Sequence, residues 1–205
     1  MDPHAHAVAL AAKGFLADDE GLRLHDLARE HAPLGPILEV GSYCGKSSVY
    51  LGAGARAAGG ALVCVDHHRG SEEHQRGEEY HDPDLWDEVV GAMDSLPALR
   101  RTLRAARLEE HCLLIVAPSA VAARFWRVPL GMVFVDGGHS EAAAQGDYEG
   151  WAEKVAPGGI LAIHDLFPDP AEGGQAPIGI YRRALATGRF EELPGTGTLG
   201  VLRRR

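Results

Sequence analysis

Four carboxylate or imidazole side chains stand where short apolar runs stop. Asp66 follows Ala61–Val65, Asp136 follows Met132–Val135, and His164-Asp165 follow Ile160–Ile163. His139 lies a few positions beyond Asp136. Two carboxylates and an imidazole brought together can hold a divalent cation, and such an ion lowers the pKa of a hydroxyl it coordinates. A histidine titrating near neutrality can take the released proton. Asp66 suits another task, since a carboxylate closing a strand can accept from both hydroxyls of a ribose. A further feature is the glycine-rich "EVGSYCGKSS", residues 39–48, after Ile37–Val40. Glycines in such a turn let a ligand approach the backbone closely.

These groups act together only if the elements bring them to one edge. Residues 5–31 read as two helices broken near Ala17-Asp18, with Asp18 or Asp19 able to cap the second. Strands then fall at Ile37–Val40, Ala61–Val65, Cys112–Val116, Met132–Val135 and Ile160–Ile163, with two short ones near 189–193 and 198–203. Helices are expected at about 47–58, within 85–108, at 141–153 and at 177–187. Continuous apolar strands alternating with helices predict an α/β fold: a doubly wound, mostly parallel, seven-stranded sheet with N-terminal helices. In such sheets the ligand lies outside the carboxyl ends of the strands, where all the groups above stand. One domain is expected over residues 1–205, with 1–33 as a helical extension and 34–205 as the core.

Composition narrows the function. Formal net charge is −9, and the only basic run is Arg203-Arg204-Arg205, which argues against a nucleic-acid footprint. Cys44, Cys64 and Cys112 are widely spaced, two of them in apolar runs, which points to a reducing, cytoplasmic setting rather than a disulfide framework. The first residues lack a basic segment before a long apolar core, and no stretch approaches the ~18 consecutive apolar residues of a membrane span, so no membrane partner is expected.

The loop has two familiar rivals. A phosphate loop reads G-x-x-x-x-G-K-[ST], whereas Gly41 and Gly45 have three residues between them. That reading would make the chain an ATP or GTP hydrolase dependent on Lys46. A dinucleotide site wants G-x-G-x-x-G, which "GSYCGKSS" also lacks. A ligand with a ribose and no pyrophosphate fits better.

"LEVGSYCGKSS" resembles the first motif of class I S-adenosylmethionine-dependent methyltransferases, and is similar to the catechol-O-methyltransferase-like branch, whose loop reads much like E-L-G-x-Y-C-G-x-S. The wider family has glycine where Tyr43 stands. "VDGGHS" followed by "APGGILAIHDL" resembles bacterial metal-dependent O-methyltransferases that modify sugars and antibiotics, and "VDHHRGSEE" with "VDGGHS" resembles the methylmannose-polysaccharide 1-O-methyltransferases. The resemblance spans about residues 36–202. It implies a Rossmann-like methyltransferase fold with S-adenosyl-L-methionine bound by Glu39, Gly41, Ser42, Tyr43, Gly45, Ser47, Asp66, His67, Ser119, Ala120 and Asp136. It also implies magnesium, or manganese, on Asp136, His164 and Asp165. The catechol branch has Asp-Asn where His164-Asp165 stand, so His164 is either a ligand favouring Mn²⁺ or a neighbour that holds substrate.

His139 is the expected general base, acting beside Asp136, with His68 and Gln175 toward the acceptor. The polar stretch 67–84 is read as a lid. Eleven histidines, against three tryptophans and five phenylalanines, favour a hydroxyl-rich acceptor such as a sugar or oligosaccharide. The alternatives are a catechol or antibiotic hydroxyl, or a non-catalytic cofactor-binding scaffold. Relatives with added N-terminal helices often pair, so a homo-oligomer is expected.

Overall fold

The computed structural model describes residues 1–78, 81–138 and 140–205. Two helices, α1 (Pro3–Ala11) and α2 (Asp18–His31), precede the alternation. It then runs β1 (Ile37–Val40), α3 (Lys46–Ala57), β2 (Leu62–Asp66), a ribbon of β3 (Trp86–Asp87) and β4 (Ala92–Met93), and α4 (Leu96–Ala105). The second half is β5 (Cys112–Val116), α5 (Ser119–Phe125), β6 (Leu130–Val135), α6 (Glu141–Trp151), β7 (Val155–Ile163), α7 (Ala176–Ala186), β8 (Phe190–Thr196) and β9 (Leu199–Arg204). The seven-stranded sheet has the order β5-β2-β1-β6-β7-β9-β8. β9 runs antiparallel to both its neighbours, and the pairings from β5 to β7 are parallel. No helix among the described residues is long and apolar enough to cross a membrane.

Side-chain alternation sorts the strands into two cores. Ile37, Leu62, Cys64, Met132, Phe134, Ile160 and Ala162 pack with α1, α2 and α3. Leu38, Val63, Val65, Val133, Val135, Leu161 and Ile163 pack with α6 and α7. The next position of the first parity is Asp66 on β2, Asp136 after β6 and His164 after β7. The His164 ring accordingly meets Phe134 edge-on, with centroids 6.2 Å apart. The polar strand ends therefore gather beneath the face that α2 and α3 cover.

Helices α2 and α3 approach closely through glycines. A Cβ at Gly54 would lie 2.2 Å from the carbonyl oxygen of His25, and one at Gly21 would lie 2.4 Å from the Tyr50 ring. The Tyr50 hydroxyl donates to Asp18 at 2.7 Å, tying the start of α2 to α3.

One local expectation is corrected. Neither Asp18 nor Asp19 caps α2; its N-cap is Ala17, whose N–H is taken by the Glu20 carboxylate at 3.2 Å. The helix expected within 85–108 is α4, Leu96–Ala105, and the residues ahead of it form the β3–β4 ribbon, because Asp87 accepts the Val89 and Val90 N–H groups and Gly91 adopts φ +69°, turning the chain back. Pro97 sits in the first turn of α4, where its missing N–H costs nothing. The short helix α5 was not foreseen: its seven residues complete barely two turns and carry little periodic signal.

Candidate active site

The glycine-rich turn leaves β1 in a conformation only this sequence tolerates well. Gly41 has φ +87°, and a Cβ there would sit 2.1 Å from the Asp136 carbonyl oxygen. Gly45, the N-cap of α3, has φ +92°. Tyr43 between them has φ +45°, an uncommon region for a side-chain-bearing residue. Asp66 holds this turn in place. One of its oxygens accepts from the N–H groups of Ser42 and Tyr43 at 3.0 and 2.9 Å, and the other from the His68 N–H at 2.7 Å. A phosphate cradle needs its loop amides facing an anion, whereas two of these already face a carboxylate. A bound phosphate would meet that negative charge. Of the roughly four lone-pair sites of the carboxylate, one remains for a further donor.

Under the turn lies Glu39, fully buried on the same sheet face. Its Oε2 accepts from the Ser48 hydroxyl. Its Oε1 and the Ser42 hydroxyl oxygen are buried without a hydrogen-bond partner. Burial pushes the Glu39 carboxyl up to about 7, opposed by the nearby serine hydroxyls and reinforced by the negative charge of Asp136. An unsatisfied buried carboxylate oxygen is uncommon, and a cationic donor would satisfy it.

On the other side of β6 the remaining strand ends converge. Asp136, His164 and Asp165 each offer one ligand atom within 4.8 Å of the others. The His164 Nδ1 lies 3.1 Å from Asp136 Oδ1 and 3.4 Å from Asp165 Oδ1. Asp165 holds φ +57°, a region that aspartate tolerates better than most residues. The opposite ring nitrogen, Nε2, meets Glu20 Oε2 of α2 at 3.0 Å. Burial alone lowers the His164 pKa, but Asp136, Asp165 and Glu20 together override it and push it up to about 12. Glu20, resisted by burial but favoured by His164 and Thr198, is held down to about 2.

The glycine-rich turn, the carboxylate ending β2 and the acidic end of β6 lie side by side at the carboxyl edge of the sheet. Residues 38–166, more than half of the chain, match the family described as a methyltransferase domain. The chain belongs to this methyltransferase family. Solved structures share its fold. The O-methyltransferase TomG of Streptomyces achromogenes, involved in tomaymycin synthesis and solved with SAM, is 18% identical with a TM-score of 0.64, covering 100% of this chain and 90% of its own. The SAH-bound Podospora anserina methyltransferase PaMTH1 is 15% identical with a TM-score of 0.67, covering 98% and 86%. The O-methyltransferase from Bacillus cereus in complex with SAH is 16% identical with a TM-score of 0.65, covering 98% and 87%.

Other expected site residues of this methyltransferase occupy varied settings. Ser47 is buried near Glu39. His67 is exposed, whereas His68 points inward, buried and 2.8 Å from the Ser95 hydroxyl. Ser119 starts α5, and its hydroxyl oxygen accepts from the Trp151 indole N–H at 2.8 Å; Ala120 is exposed beside it. Gln175 donates to the carbonyl oxygens of Phe167 and Gly173, pinning the loop before α7. His139 lies outside the described residues, as do Glu79 and Tyr80 of the 67–84 stretch.

Two participants escaped sequence reasoning. Glu20 lies in an extension with no motif to mark it. Asp147 of α6 is buried beside Gly137 and Ser119, and burial pushes its carboxyl up to about 6 against the Ser119 hydroxyl. A cleft of about 480 Å³ opens beside the turn, lined by Lys13, Phe15, Tyr43, His81 and Asp82. Phe15 and Tyr43 stack there with centroids 6.1 Å apart.

Proposed function

We propose that this protein transfers the methyl group of S-adenosylmethionine to a hydroxyl oxygen, with help from a divalent cation, and that the acceptor is a sugar or short oligosaccharide. The observation that carries the reading is the convergence of the Asp66-pinned turn and the Asp136–His164–Asp165 cluster at the ends of adjacent strands. The residues fit the cofactor. Gly41 lets the turn close against the Asp136 backbone, the free lone pair of Asp66 suits a ribose hydroxyl, and the unpartnered Glu39 oxygen suits an ammonium group. TomG and the Bacillus cereus protein, each solved with SAM or SAH, support this choice.

The cluster also fits a divalent cation, since two carboxylates and an imidazole suit Mn²⁺ at least as well as Mg²⁺. Such an ion, when bound, lowers the pKa of a coordinated hydroxyl and fixes its direction. The chain's residues do the rest. Asp66 and the turn would hold the donor, so that its methyl group could be presented to the acceptor oxygen. His139, just past Asp136, takes the hydroxyl proton. The new C–O bond forms as the C–S bond breaks, the sulfur keeps the electron pair, and neutral S-adenosylhomocysteine leaves.

A sugar suits the polar rim of Lys13, His81 and Asp82 around the cleft. A second reading, a flat natural-product hydroxyl, is favoured by the Phe15–Tyr43 stack and by the likeness to TomG.

Calorimetry with S-adenosylhomocysteine, with ATP as control, tests the donor site. Binding should weaken at least tenfold in Asp66→Ala, with no ATP binding. ATP binding lost in Lys46→Ala would overturn the reading. An acceptor panel of methylated mannosides, catechols and natural-product phenols, run with Mg²⁺ and Mn²⁺, separates the acceptors. Turnover of a phenol but no sugar would sink the sugar proposal alone.

A further inference from the structure

We infer that Glu20 is a positioning residue for the metal site: it presents His164 to the cation held with Asp136 and Asp165, so the N-terminal helices complete the active site. This rests on the cation-assisted reading above. Glu20 is 4% exposed and saturated with donors. Its Oε1 accepts from the N–H and hydroxyl of Thr198 at 2.7 and 2.9 Å. Its Oε2 takes the Ala17 N–H that opens α2, and faces His164 Nε2 at 3.0 Å. One carboxylate thus caps its own helix, ties the β8–β9 turn to α2 and grips an imidazole 144 positions away.

The geometry assigns each nitrogen a task. Nδ1 faces the two carboxylates of the cluster, while Nε2 faces away from them toward α2. A ligating Nδ1 must present a lone pair, so the ring proton must reside on Nε2, where only an acceptor will stabilise it. Glu20 supplies that acceptor. It lies across the ring from the cluster, so it acts through His164. A carboxylate behind a ligating imidazole also raises the basicity of the ligand.

Electron paramagnetic resonance of free Mn²⁺ in titrations of the full chain tests the assignment. Glu20→Gln leaves one acceptor oxygen for four donors. It should weaken Mn²⁺ binding roughly 10- to 100-fold, with S-adenosylhomocysteine affinity within twofold of the unmutated protein. Mg²⁺, which prefers oxygen ligands, should weaken less, so the Mn²⁺/Mg²⁺ preference should fall. Unchanged Mn²⁺ affinity, or equal weakening of both ions, would overturn the role and leave Glu20 a structural residue. A protein that binds S-adenosylhomocysteine but neither ion would overturn this role together with the cation-assisted reading, while the donor site would stand. Should Glu20→Gln not fold, ¹⁵N spectra of the histidines in the unmutated protein with Zn²⁺ carry the test. His164 should be protonated at Nε2 and unprotonated at Nδ1, and the opposite tautomer overturns the proposal.

Discussion

Two carboxylates on one sheet face, Asp66 half-buried and Glu39 fully buried, meet opposite fates. Asp66 is satisfied by three backbone N–H groups, and its energy goes into shaping the turn around Tyr43. Glu39, a few ångströms of strand away, keeps an unpartnered oxygen and is pushed from 4.5 up to about 7. The native state therefore holds a proton that the unfolded state releases between those values. Stability falls as pH rises through that window. Glu39→Gln should leave thermal stability unchanged near pH 4 and raise it by about 3 kcal/mol at pH 8 in the ligand-free protein. Unfolding followed by circular dichroism across pH checks this, and a pH-independent difference would refute it. The same variant should bind S-adenosylhomocysteine at least tenfold more weakly, because a neutral amide no longer attracts the ammonium group.

Helices α2 and α3 decide whether Glu20 reaches His164. Their contact depends on Gly54, where a methyl group would press into the His25 carbonyl. Both atoms belong to regular helix, so relief comes from moving one helix against the other. Gly54→Ala should cost about 1–3 kcal/mol despite alanine's better helix propensity. If Glu20 orients His164, it should also weaken Mn²⁺ binding, while Gly59→Ala, where the added methyl meets nothing but φ is +72°, should cost stability without touching Mn²⁺. Denaturant melts and Mn²⁺ titrations of both variants separate the two effects. At the cleft, by contrast, Lys13 joins Asp82 and Asp84 at the surface, where ion pairs contribute little.

Across the whole molecule the extension and the sheet share one core: Leu24, Leu27 and Ala28 of α2 pack in the same cluster as Ile37, Met132 and Ile160. We propose that residues 1–205 unfold as one unit. A single calorimetric transition is expected, and a separate low-temperature transition removed by deleting residues 1–33 would refute it. The outer strand β5 and helix α5 expose Leu113, Val116 and Phe125, at 55, 54 and 72%. We propose that this apolar edge pairs with a second copy of the chain. Mass photometry should show a species of twice about 22 kDa, and the 22 kDa species alone would refute the homodimer.

The continuous apolar runs by themselves determined where the central strands lie. Their ends named Asp66, Asp136, His164 and Asp165, because in a parallel sheet the carboxyl edges must meet at one crevice. Alternation along those strands also encodes that all but Asp165 turn toward one face. What the sequence could not carry was which element covers that face. Local periodicity records that α2 has an apolar side, but not that its third residue ends beneath β7, beside an imidazole far along the chain. Nor does it distinguish a carboxylate spent on backbone amides from one left unsatisfied, since Asp66 and Glu39 look alike until neighbouring N–H groups are placed around them. The tertiary structure decided both, because burial and hydrogen-bond supply are properties of what packs around a residue rather than of the residues beside it.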